Sequence, residues 1–100
     1  MHLSNFAFTP DNLRFQVGHP VTLHLVNDST GGHNFSAPAL FAASSFPAGT
    51  SAPPNGTVEV GGNQSRDITF TPLRTGTYPF ECTHFLHSAF GMTGSAEVVP

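Results

Sequence analysis

Towards the end of the chain a cysteine, a histidine and a methionine fall at even intervals: Cys82, then His87 five residues on, then Met92 five after that. Taken singly, a lone Cys or Met is more often a small or pliable core residue than a ligand. Taken together, a thiolate, an imidazole and a thioether form a soft to borderline donor set, the kind copper prefers. Two His and one Cys in a trigonal arrangement, with a long axial Met, make the site that carries single electrons on copper. The loop has one histidine at that spacing, so the other has to come from elsewhere. His33 is the natural candidate, because it follows the Gly31-Gly32 turn and leads through Asn34 into Phe35. His84, two residues after Cys82, competes with His87 for the loop's ligand position.

The elements that must position these residues can be read from the alternation of apolar side chains. Strand residues alternate between faces with a period of two. Tyr78, Phe80 and Cys82 therefore share a face, and two aromatics mark it as the inner one. Strands are expected from Leu3 to Phe8, at Leu13 to Val17, at Val21 to Val26, at Thr57 to Val60, at Arg66 to Thr71, from Gly76 to Cys82 and from Thr93 to Val99. Turn chemistry separates them at Thr9 to Asn12, Gly18 to Pro20 and Asn27 to Gly32. Pro38 to Ser45 carries Ala, Leu and Phe at near-helical spacing, which allows a short helix. Phe46 to Gly56 reads as an irregular excursion. Pro79 lies within the Cys82 strand and faces outward; because proline lacks a ladder donor, a bulge or an edge position is expected there. The whole is an all-β, Greek-key sandwich of about seven to eight strands, in one domain spanning residues 1–100.

Composition narrows the functions available. Charged residues make up 9% of the 100-residue chain, where about 25% is usual. There is no lysine; Arg14, Arg66 and Arg74 are the only fixed cations, and the formal net charge is -3. A nucleic-acid partner needs clustered Lys and Arg, so none is expected. No apolar run is long enough for a membrane span. One cysteine rules out an internal disulfide. Met1 to Phe6 has neither the basic start nor the apolar stretch of a secretory signal, which leaves the compartment open. His24 alternates outward and is expected in a solvated or cross-strand role; His19 sits in a turn, and His2 in a mobile terminus.

An early His33-Asn34-Phe35, then Tyr78-x-Phe80-x-Cys82, a short loop, His87 and Gly91-Met92: this order resembles the cupredoxins, the blue-copper family that includes plastocyanin, azurin and rusticyanin. The likeness extends from the first strand to the last, and Cys-x4-His-x4-Met is similar to the loop of the rusticyanin-like members. The resemblance implies one type 1 copper ion, with His33, Cys82 and His87 as equatorial ligands and Met92 as the axial one. It also implies that the Asn34 backbone N–H donates to the Cys82 sulfur, and that the Asn34 and Thr83 side chains tie the two ligand loops together. It implies an exported, periplasmic-type monomer without enzymatic activity. The expected role is shuttling one electron between Cu(I) and Cu(II), with a copper carrier or buffer as the alternative. Redox protein partners would dock on the apolar loop residues Phe85, Leu86, Ala89 and Phe90 around His87. An oxidase or reductase would need further His clusters, which the sequence lacks. A sandwich with a merely buried cysteine would bind no copper.

Overall fold

The computed structural model describes residues 1–4, 7–84 and 92–100. They form ten strands and one short helix: β1 (His2–Ser4), β2 (Ala7–Thr9), β3 (Asn12–Gln16), β4 (Val21–Asn27), β5 (His33–Ser36), α1 (Pro38–Ala42), β6 (Ser44–Ser45), β7 (Thr57–Val60), β8 (Ser65–Pro72), β9 (Gly76–Glu81) and β10 (Thr93–Val99). A 3₁₀ turn covers Pro54–Gly56. The strands make two five-stranded sheets, ordered β2-β1-β4-β8-β6 and β3-β10-β9-β5-β7. Their inner faces enclose a single apolar cluster, as the alternating pattern requires of a sandwich.

Phenylalanine joins the two layers. Phe8 on the first sheet meets Phe80 edge-on at 5.1 Å and Phe35 at 6.0 Å, both on the second sheet. Phe15 on the second sheet meets Phe70 on the first at 5.7 Å. Phe41, from α1, lies between Phe70 at 5.4 Å and Phe35 at 6.1 Å. Edge-to-face ring pairs of this kind contribute about 0.5–1.5 kcal/mol each beyond the area they bury. The many Phe residues thus line one continuous path through the core, and α1 closes it on one side.

The start of the chain departs from expectation. Leu3 to Phe8 is not one strand but two, β1 and β2, paired antiparallel with Leu3 opposite Phe8. β1 also runs parallel to β4, with His2 opposite Val26. The Val26 N–H donates to the Met1 carbonyl at 2.8 Å, and the Asp28 N–H to that of Leu3 at 3.0 Å. His2 is therefore fixed in a strand rather than in a mobile terminus, and its Nδ1 lies 2.6 Å from Asp28 Oδ2. Phe6 lies outside the described residues. His24 takes the expected cross-strand role, opposite Asp67 and hydrogen-bonded to it.

The helix is shorter than its spacing suggests. It ends at Ala42, and Ser44–Ser45 turns into a two-residue strand on β8. The excursion that follows folds back onto the helix start, where the Ala37 N–H donates to the Gly56 carbonyl at 2.9 Å. Gly56 has φ +68°, and a Cβ there would fall 2.5 Å from Pro38 Cα, so only glycine fits. Pro79 has Ser95 opposite it on β10, while β9 pairs with β5 only at Glu81. At residue 79 the strand thus has a ladder partner on one side alone, and the missing proline N–H costs little.

Gly94 is where the β9–β10 pair packs most tightly. A Cβ there would sit 2.3 Å from the Asp11 carbonyl oxygen and 2.4 Å from Phe80 Cε1. The Gly94→Ala variant is expected to lose about 1–3 kcal/mol, the usual cost of overpacking. Urea unfolding monitored by circular dichroism measures it; an unchanged midpoint would show that this contact relaxes freely.

Candidate metal centre

Two antiparallel registers bring three of the expected ligands, His33, Cys82 and Met92, to one end of the sandwich. β9 and β10 pair with Glu81 opposite Thr93. One residue further, the Cys82 N–H donates to the Met92 carbonyl at 3.1 Å. The hairpin backbone thus closes the base of the loop and sets Cys82 beside Met92. Both residues are fully buried. On the other side of β9, Glu81 pairs with Ser36 of β5. Continuing that register by two residues puts Asn34 across from Thr83.

At that point the ladder gives way to side-chain bonds. Asn34 Oδ1 accepts the Thr83 backbone N–H at 2.8 Å, and Asn34 Nδ2 donates to Thr83 Oγ1 at 2.6 Å. The Asn34 backbone N–H points at Cys82 Sγ, 3.5 Å away. His33 is 1% exposed, and its Nδ1 lies 3.8 Å from Cys82 Sγ. The two residues are 49 apart in sequence, and the fold buries them together. His87 and the apolar loop residues Phe85, Leu86, Ala89 and Phe90 lie outside the described residues.

The separation of His33 and Cys82 suits a shared ion. Metal bonds of about 2.0 Å to nitrogen and about 2.3 Å to sulfur, splayed by about 120° in a trigonal plane, set those donors roughly 3.8 Å apart. The observed distance agrees. A thiol–imidazole hydrogen bond would also satisfy both groups without a metal. Among the described residues no cluster of three or more His, Cys, Asp and Glu side chains is arranged around one point. The donors that the described residues bring together here are an imidazole nitrogen and a thiol sulfur.

Two further residues shape this end. Asn27, 1% exposed, ends β4. Its Nδ2 donates to the Gly31 carbonyl at 2.8 Å and the Val60 carbonyl at 3.0 Å, while its Oδ1 accepts the Ser29 N–H at 2.9 Å and the Ser29 hydroxyl at 2.7 Å. It folds the Asp28 to Gly32 turn that delivers His33. An Asn-x-Ser step after a strand is a known turn-former and was the available clue. Glu59, opposite Asn34 on β7, accepts from Asn34 Nδ2 at 2.7 Å through Oε2. Its Oε1 lies 2.9 Å from His84 Nε2. A half-exposed glutamate in a strand has nothing in the sequence to distinguish it. His84 is in turn 36% exposed, with its ring centroid 6.5 Å from that of His33. Asn34, Glu59, Thr83 and His84 line a surface cleft that Arg66 and Asp67 extend.

The profile of a family described as copper binding proteins, plastocyanin/azurin family, matches residues 2–99. No curated relative matches the sequence. Several solved structures are similar to it. One is a dithionite-reduced auracyanin from the photosynthetic bacterium Roseiflexus castenholzii, 25% identical over 99% of this chain and 95% of that one, with a TM-score of 0.75. Auracyanin B is 25% identical over 97% and 83% of the two chains, with a TM-score of 0.71. A reduced amicyanin variant, 20% identical over 98% and 78%, has a TM-score of 0.59, a likeness of fold.

Asn27→Ala leaves the buried Val60 carbonyl and Ser29 N–H without their partner, and is expected to destabilise the protein by about 2–3 kcal/mol. Denaturant titration gives the loss. Hydrogen exchange at the Asn63 amide, which donates to the Ser29 carbonyl, should accelerate with it; slow exchange there would show that the turn holds without Asn27.

Proposed function

Since this chain belongs to the plastocyanin/azurin family of copper-binding proteins, we propose that it is a small electron-transfer protein whose copper is held by His33, Cys82, His87 and Met92. The observation that carries this reading is the 3.8 Å approach of His33 Nδ1 to a buried Cys82 Sγ, the spacing a trigonal N/S pair requires. When bound, copper supplies a one-electron couple between Cu(I) and Cu(II).

The protein's part is to keep the ligands in place whatever the charge of the ion. His33 starts a strand paired with β7, with Val60 opposite it. Cys82 is tied through its own N–H to Met92 and through its sulfur to the Asn34 N–H. An N–H directed at a thiolate stabilises negative charge there and fixes the sulfur's direction. Ligands anchored in this way need little rearrangement between oxidation states, which favours fast transfer. Slow structural exchange is the opposite of what a carrier needs. Three proposed ligands, His33, Cys82 and Met92, buried to 1% exposure or less support the shuttle over delivery or buffering. The reduced forms in which an auracyanin and an amicyanin were solved agree with a redox role.

The apolar residues Phe85, Leu86, Ala89 and Phe90 supply a docking patch for redox partner proteins, small in area as such encounters are. The protein acts as a monomer in an exported compartment such as the periplasm, and performs no catalysis of its own.

Titration with Cu(II) followed in the visible range tests this directly. The wild type is expected to develop an intense thiolate-to-copper band at one equivalent. Cys82→Ser and His87→Ala should abolish it, and His84→Ala should keep it. A band that survives loss of His87 but not of His84 would reassign the ligand, and no band in the wild type would end the reading. Copper at a thousandfold excess over Kd should add about 4 kcal/mol of stability, seen as a rise in Tm that Cys82→Ser removes.

A further inference from the structure

Asn34 has every polar atom of its side chain engaged, and the chemistry of its partners dictates its orientation. The Thr83 backbone N–H can only donate, so it must meet Oδ1. A carboxylate can only accept, so Glu59 must meet Nδ2. Glu59 therefore reinforces the amide orientation that Thr83 also requires. The same carboxylate turns its other oxygen to His84 Nε2 at 2.9 Å. One side chain on β7 thus reaches both the strand that carries His33 and the segment that follows Cys82. Asn34 and Thr83 join these segments in pairs; Glu59 links them from a third strand.

The geometry points to Glu59 as a positioning residue for the Cys82 sulfur. It acts through Asn34, whose backbone N–H is directed at Cys82 Sγ, and through His84, which it holds on the outer side of the site. It touches none of the proposed ligands. A side chain 60% exposed to solvent contributes little to the core, so its effect should concentrate at this end of the fold. This inference rests on the reading that Cys82 and His33 hold copper. Half of its test is nevertheless independent of the metal.

The test compares the wild type with Glu59→Ala and Glu59→Gln. Glutamine keeps a carbonyl oxygen that can accept from Asn34 Nδ2 but lacks the charge. In the copper-free protein, hydrogen exchange at the Asn34 and Thr83 backbone amides should be faster by roughly three- to tenfold in Glu59→Ala, the loss of one hydrogen bond. Amides in the β4–β8 ladder should be unchanged. Glu59→Gln should restore most of the protection at Asn34 and Thr83. In the copper-loaded protein the thiolate-to-copper band should shift in Glu59→Ala and return towards the wild-type position in Glu59→Gln. Exchange at Asn34 and Thr83 equal to wild type in Glu59→Ala would overturn the proposal. So would a glutamine variant that behaves like alanine, because charge rather than the bond to Asn34 would then be the cause. Absence of a copper band in the wild type would instead count against the functional reading, and the exchange comparison would still decide the role of Glu59.

Discussion

The structure depends on a buried meeting of His33 and Cys82, from strands that come within one shared end of a sandwich but do not pair there. Their side chains lie 3.8 Å apart. Both are polar or reactive groups in an apolar interior, and such groups are retained only where partners satisfy them. The Cys82 sulfur has two such neighbours, the His33 ring and the backbone N–H of Asn34, and Asn34 also ties the two segments together. Its main-chain N–H faces the sulfur, and its amide binds Thr83 at two points. Where β5 and β9 cease to pair as a ladder, this amide continues the connection between them.

The rest of the fold makes that meeting rigid. The phenylalanine path from Phe15 through Phe70, Phe41 and Phe35 to Phe80 and Phe8 locks one sheet against the other. Phe35 and Phe80 each lie two residues from a residue of the site, His33 and Cys82 respectively. In a strand, residues two apart share a face, so core and site are parts of the same inner surface. Phe35 is in contact with three other rings, those of Phe8, Phe41 and Phe80, and Phe80 with two, those of Phe8 and Phe35. A close-packed interior resists displacement of rings held in this way. The order of this end of the fold thus rests on packing that begins several ångströms away from it.

Much of this was legible in advance where the signal is local. The alternation at Val21 to Val26 and at Tyr78 to Cys82 set strands and faces correctly, and the family resemblance anticipated the Asn34 bonds to Cys82 and Thr83. The split of the first segment into β1 and β2 was not legible. Leu3 and Phe8 read as one alternating run, and only their antiparallel pairing across β1 and β2 reveals two strands. The helix was placed but overextended, because Ser44 and Ser45 pair with β8 rather than continuing the spiral. Glu59 is illegible for a different reason: it is a polar residue in a strand, and its importance comes from Asn34 opposite it. Asn27 is legible as the start of a turn, but its bond to the Val60 carbonyl on the other sheet is not.

By itself, then, the sequence determined the donor types, their spacing in the Cys82 loop, the two-residue rhythm of the strands and the family to which they resemble. These are properties of residues a few positions apart, fixed by covalent geometry and side-chain chemistry. The tertiary structure alone decided that Asn34 faces Glu59 as well as Thr83, that His84 turns to a carboxylate on a third strand, and how closely His33 approaches Cys82. Those contacts join residues 25 to 49 positions apart. They follow from the registers of β5 with β7 and β9, which depend on how two whole sheets close over a common core.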